Sequence, residues 1–168
     1  MDQPTLYEDD IVTWAEQQAS ALRALALRPD LSNALDWEAV AEEIESVGLS
    51  HVTAFESKLR LVLVHLLKYL SAPEAPSAHH WRSEIIAFQI AARAAFARSM
   101  RQRLDLAGTW EDAQRQAEAS LLTYGDRLVG GLPQEMPFSL DDLLQKNFDP
   151  DAMLVRLAAS LAKPSKAD

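Results

Sequence analysis

Cysteine is absent from this chain of 168 residues. That excludes a disulfide framework, a zinc ribbon, an iron–sulfur cluster and a cysteine nucleophile. Glycine is scarce, at 5 residues, and no P-loop, dinucleotide fingerprint or serine-nucleophile motif occurs. The longest near-continuous apolar run, residues 59–67, is interrupted by Arg60 and His65, far short of the roughly 20 residues that span a bilayer. The first residues, Met1-Asp2-Gln3-Pro4, have no basic start and no apolar h-region, so the expected location is cytoplasmic. Basic side chains are outnumbered 16 to 25, for a net charge of −9. An acidic surface repels phosphate backbones and anionic lipid, so neither nucleic acid nor membrane is expected as a partner. The chain is 48% hydrophobic and long enough to bury about 70% of its unfolded surface in one domain without a staple.

Helical periodicity dominates, with no convincing alternating strand. The first helix is expected over 6–27. Thr5 and Glu8 fit a capping box, Tyr7, Ile11, Trp14, Leu22 and Leu25 form an apolar stripe, and Pro29 ends it. A loop over 31–35 follows, and Asp36 caps a second helix that starts at Trp37. Gly48 leaves two readings. It stops that helix, or it sits inside one helix to Leu70 at about 1 kcal/mol relative to alanine. The stripe Ile44, Val47, His51, Phe55 stays in phase across it, and 59–67 is apolar nearly all round, as in a central buried helix. A third long helix is expected over 78–106. Gly108 punctuates, and Thr109 with Asp112 opens a fourth helix over 110–129, with Trp110, Ala113, Ala117, Leu121, Tyr124 and Leu128 as its stripe. Ser139 and Asp142 cap a short helix over 140–146. Asp149-Pro150 opens a last one to about 162, and 163–168 reads as a frayed tail. The fold class is all-α: a single-domain helical bundle of about four long helices with short C-terminal ones.

Charge falls in blocks. Residues 1–57 hold 12 acids and 2 bases, residues 58–103 hold 2 acids and 8 bases, and residues 104–168 hold 11 acids and 6 bases. The preferred reading packs the basic third helix beside the acidic first and second. The alternative leaves Arg82, Arg93, Arg98, Arg101 and Arg103 as an anion-binding or partner patch, although they do not share one helical face.

The stretch Leu35-Asp36-Trp37-Glu38-Ala39-Val40-Ala41-Glu42-Glu43-Ile44-Glu45-Ser46-Val47-Gly48 resembles the signature of the DUF29 family, a bacterial domain of unknown function. Leu6-Tyr7-Glu8-Asp9-Asp10 with Trp14, Leu63-Val64-His65-Leu66-Leu67-Lys68-Tyr69, Trp81-Arg82, and Pro137-Phe138-Ser139-Leu140-Asp141-Asp142-Leu143-Leu144 extend the resemblance. It divides the chain into a DUF29-like helical bundle over 1–149 and an extra C-terminal helix and tail over 150–168. Tyr69 stands where the family usually has tryptophan, and Ala72-Pro73-Glu74-Ala75-Pro76 where it often has a more basic segment. The resemblance implies an all-α fold and a bacterial source, and no catalytic role.

Among chemistry-bearing residues, Glu42 and Glu45 are three apart and share a helix face, with His51 and His65 downstream. The Glu-x-x-His pairs of di-metal bundles are missing. His51 and His65 on one continuous helix would lie about 21 Å apart, so no metal site and no cofactor is expected. His65, inside the apolar stretch, reads as a satisfied core histidine or a proton acceptor. His79, His80 and Arg82 at the start of the third helix could hold a phosphate or carboxylate; the preferred reading pairs Arg82 with Glu42 or Glu45. Trp14, Trp37, Trp81 and Trp110 read as packing residues.

Two functions follow. The first is a non-catalytic interaction module that binds a protein partner or a second copy, motivated by the Met153, Leu154, Leu157, Leu161 stripe of the last helix. The second is an enzyme or small-ligand protein that gathers Glu42, Glu45, His65 and Arg82 in an interhelical pocket.

Overall fold

The computed structural model describes residues 5–28, 30–31 and 35–161. The tail expected over 163–168, together with Pro29 and residues 32–34 around the first loop, lies outside them. The described residues form seven α-helices and no strand: α1 (Leu6–Asp9), α2 (Ile11–Ala26), α3 (Trp37–Ser71), α4 (Ala78–Ala95), α5 (Leu106–Leu122), α6 (Leu140–Leu144) and α7 (Pro150–Ser160), with a 3-10 turn at Arg98–Gln102. Among the described residues no helix is long and apolar enough to cross a membrane. The described residues gather into two compact units, one from those within 5–55 and 95–104, the other from 56–94 and 105–161.

In the first unit the single helix expected over 6–27 is two helices. Glu8 accepts the backbone N–H of Thr5 at 2.9 Å, closing the expected capping box. Asp10 then leaves helical geometry (φ −151°, ψ 80°) and caps α2 by accepting from the Thr13 amide at 3.0 Å. The buried face of α2 is Val12, Ala15 and Ala19, whereas Tyr7 and Leu25 of the expected stripe are exposed. Small residues win here because α3 comes close. A Cβ on Gly48 would stand 3.3 Å from that of Ala15, so glycine marks a contact and α3 runs through it unbroken. On α3 the buried line is likewise Ala41, Gly48, Val52 and Phe55, with Val47 and His51 outward.

The third helix expected over 78–106 stops at Ala95. The chain is extended at Ala97 (φ −108°, ψ 145°), and the 3-10 turn buries Met100. Phe96 meets Phe55 at 5.3 Å between ring centroids.

In the second unit residues 59–67 are buried except at Arg60 and Leu61. Ala72, Ala78, Trp81 and Leu121 form one apolar cluster, against which Tyr69, Ala75 and Leu128 pack. Gly108 does not punctuate but lies in the first turn of α5. Asp105 caps it at 2.9 Å, and a Cβ there would meet the Asp105 carboxylate. At the other end α5 stops at Leu122, short of the expected 129, because Gly125 adopts φ +83° and the Asp126 amide bonds back to the Leu121 carbonyl. Tyr124 is therefore exposed rather than on the buried stripe. Ser139 and Asp142 cap α6, and Asp149 with Pro150 opens α7, as expected.

Candidate functional site

The four residues expected to converge do not form one cluster. Glu42 is exposed. Glu45 belongs to the first unit, where Arg23 binds both of its oxygens at 2.5 and 3.1 Å and also takes Glu38 at 2.8 Å. Glu38 and Glu45 stand two turns apart on α3, a spacing that one guanidinium fork bridges. That fork holds the Glu45 carboxyl below its ordinary range. Glu45 also borders a cleft of about 180 Å³ with Val12, Glu16, Gly48, Leu49 and Arg103.

Arg82 pairs with neither Glu42 nor Glu45. Its partner is Asp151, at 2.5 Å in the first turn of α7, which raises the arginine's pKa. The expected arginine patch is similarly occupied in part: Arg103 pairs with Glu16, and Arg101 lies over the Phe96 ring. The apolar stripe of α7 turns inward, with Met153 and Leu157 buried and Val155 outward.

What the second unit does bring together is a polar seam between the C-terminal half of α3 and the first turns of α4. His65 is 8% exposed and Lys68 9%, both amid buried leucines. Nδ1 of His65 donates to the Leu61 carbonyl at 2.8 Å, and Nε2 faces a Glu84 carboxylate oxygen at 3.0 Å. The other Glu84 oxygen is 3.3 Å from Nε2 of His80, which is mostly exposed. Lys68 places Nζ 4.5 Å above the Trp81 ring, and Phe88 leans on His65 at 5.2 Å.

Burial pushes the His65 imidazole below its ordinary pKa, against the pull of the Leu61 carbonyl and Glu84; the Lys68 charge pushes the same way as burial. Burial also lowers Lys68, with Glu84 opposing. His51 is exposed on α3, far from this seam along the helix, and His79 is exposed beside it. Among the described residues no group of three or more histidine, aspartate or glutamate side chains is arranged to hold a metal ion.

Of the expected site residues, the structure thus links His65 and His80, through Glu84. Glu84 and Lys68 were missed. The signal was present: 65/68 and 81/84 are i, i+3 pairs and 80/84 is an i, i+4 pair, so each set shares a helix face.

One further feature lies on the outer side of α4. Ile86 and Ile90, one turn apart, remain 40% and 51% exposed, and Ser83, Ala87 and Ala94 beside them are exposed too. On the inner side α4 buries Gln89, whose amide donates to the Leu143 and Gln145 carbonyls at 3.0 Å each.

Residues 6–149 match the family model described as a domain of unknown function, DUF29. A solved crystal structure of an alpha-helical protein of unknown function from Rhodospirillum rubrum is similar to this chain. It is 36% identical with a TM-score of 0.82, over 93% of this chain and 99% of that one. No match was found among curated proteins.

Proposed function

The chain belongs to the DUF29 family, and from that premise we propose that it is a non-catalytic helical interaction module whose docking face is the outer side of α4. The observation that carries this reading is the partial inversion of α4. The helix turns Gln89 inward and leaves Ile86 and Ile90 half-exposed. Each half-exposed isoleucine forgoes about 1 kcal/mol of burial, which a helix laid along the stripe would recover. Ser83, Ala87 and Ala94 supply the low positions that let a second backbone approach. The reading fits the expectation of a protein partner and moves the face from α7 to α4, because Met153 and Leu157 of the α7 stripe are spent on the core.

A photo-crosslinking residue placed at position 90 tests it in living cells. The expected result is a discrete protein adduct that is absent when the same residue replaces exposed Gln17 and lost when Ile86→Asp is added. Equal yields at the two positions overturn the reading.

The His65–Glu84–Lys68 seam favours a second reading, a small-ligand or acid–base protein centred on that seam rather than on Glu42, Glu45, His65 and Arg82. It requires a ligand to reach a histidine whose side chain is 10% exposed.

A further inference from the structure

Both ring nitrogens of His65 face groups that accept hydrogen bonds. The Leu61 carbonyl oxygen, 2.8 Å from Nδ1, can only accept, so Nδ1 carries a hydrogen. In the neutral ring Nε2 is then a bare lone pair. It points at a Glu84 oxygen 3.0 Å away, and an ionised carboxylate also offers nothing but lone pairs. Two acceptors at that separation repel. The contact becomes a hydrogen bond only when one more proton lies in it, on either side.

We propose that the buried His65 and the half-buried Glu84 together form a single proton-binding site, that the arrangement described is its loaded form, and that unloading it frees the Glu84 carboxylate and loosens the α3–α4 seam. On loading, a proton from water makes one N–H or O–H bond in the pair; on unloading the same proton returns to water. The charged groups facing His65 among the described residues are Lys68 on its own helix and Glu84 on α4. His80 joins through the second Glu84 oxygen, and being 71% exposed at its side chain it links the pair to solvent. Phe88 covers the imidazole, so that link is the polar edge of the site. Because burial disfavours the imidazolium, loading falls on the acid side of the ordinary imidazole range. The site stands independently of what docks on the outer face of α4.

The test is NMR of the full chain, following the His65 ring nitrogens and the Glu84 side-chain carboxyl carbon from about pH 8 to pH 4.5, across the ordinary histidine and glutamate ranges. The expected result is a neutral ring with hydrogen on Nδ1 at high pH, and one transition in which both residues move together. Glu84→Gln supplies an amide N–H that donates to Nε2 without any added proton. It should keep the ring neutral over the same range, lowering the proton affinity of His65 at least about tenfold, a shift of roughly one pH unit. His80→Gln should leave the joint transition in place. Hydrogen on Nε2 at high pH, separate transitions for the two residues, or an unchanged His65 midpoint in Glu84→Gln would each overturn the proposal. The first two are read on the unaltered protein, so the proposal is exposed to refutation even where a variant does not fold.

Discussion

Gln89 offers the sharpest test of how the second unit is held together. It is 3% exposed, and its amide nitrogen donates to the carbonyls of Leu143 and Gln145. Both partners can only accept, which fixes the amide orientation. Those carbonyls are end groups of α6, a helix of five residues that is too short to be stable alone. Gln89→Met keeps length and volume while deleting both donors. The Leu143 oxygen is buried, and leaving it without a partner costs about 1–3 kcal/mol. The Gln145 oxygen is partly buried and adds less, while methionine gains some burial. The expected net loss is about 2–3 kcal/mol, or a fall in Tm of about 4–12 °C for a chain of this size.

Gln89→Glu carries the reasoning further. An ionised carboxylate facing two carbonyls is worse than methionine, and protonation relieves it by restoring a donor. The folded-state pKa of that carboxyl is raised, so the penalty is small below the unfolded value of about 4.3 and grows as pH rises through the folded value. Urea unfolding at a series of pH values, with hydrogen exchange of the 140–144 amides as the local readout, decides the matter. A Gln89→Met variant within about 0.5 kcal/mol of the parent protein, or with unchanged exchange at α6, would refute the clamp.

Further outcomes follow from the same geometry. Gly48→Ala should fall within about 1 kcal/mol of neutral in denaturant unfolding, because the helix-propensity gain is set against the tight approach to Ala15. Gly48→Leu should be strongly destabilising, since α2 would have to move. Trp110→Phe removes the indole donor to the Pro133 carbonyl at 3.0 Å and should cost about 1–3 kcal/mol, with faster exchange in the 130–138 segment. Asp142 is held below the ordinary aspartate range by the Ser139 hydroxyl and amide, and by Arg156. Its contribution is complete above the unfolded value of about 3.9 and disappears as pH falls through the lower folded one. Asp142→Ala should therefore flatten the acid limb of the stability–pH curve.

The all-helical class and the buried 59–67 stretch were legible because each rests on a long periodic pattern. The caps at Thr5, Asp36, Ser139 and Asp149 were legible because they need only local chemistry. Breaks at Asp10 and Ala97 were not, since each goes with a contact to a distant residue: Asp10 accepts from the Ser99 hydroxyl at 2.6 Å, and the chain turns at Ala97 just after Phe96 meets Phe55. Gly108 misleads, and Gly48 left two readings open, for the same reason. A glycine in sequence signals a break, whereas here one admits a neighbouring helix and the other admits a capping carboxylate. Ion pairs were the least legible feature. Charge blocks show which segments are complementary, but which carboxylate Arg82 finds depends on where α7 begins, and nothing local to Arg82 encodes that.

The faces of α4 draw these strands together. A helix chosen only for stability would bury isoleucine and expose glutamine, and consistency between pattern and packing is the ordinary condition of a folded chain. This helix departs from it twice. Its inner face carries Gln89 and the Glu84 that meets His65, and both depend on specific partners that apolar side chains would not need. Its outer face carries Ile86 and Ile90, whose burial is only about half realised. The inner departure is explained from within the molecule, because Gln89 holds α6 and Glu84 binds a proton with His65. The outer one has no such explanation among the described residues, and an apolar ridge without a role inside the fold is the feature most economically assigned to a partner outside it. If Ile86→Ser and Ile90→Ser together cost no more than about 2 kcal/mol, the burial their half-covered side chains already have, while abolishing the adduct at a crosslinker moved to Ala87, the ridge serves binding. If they destabilise the chain as core substitutions do, the ridge belongs to the fold and the interaction reading fails.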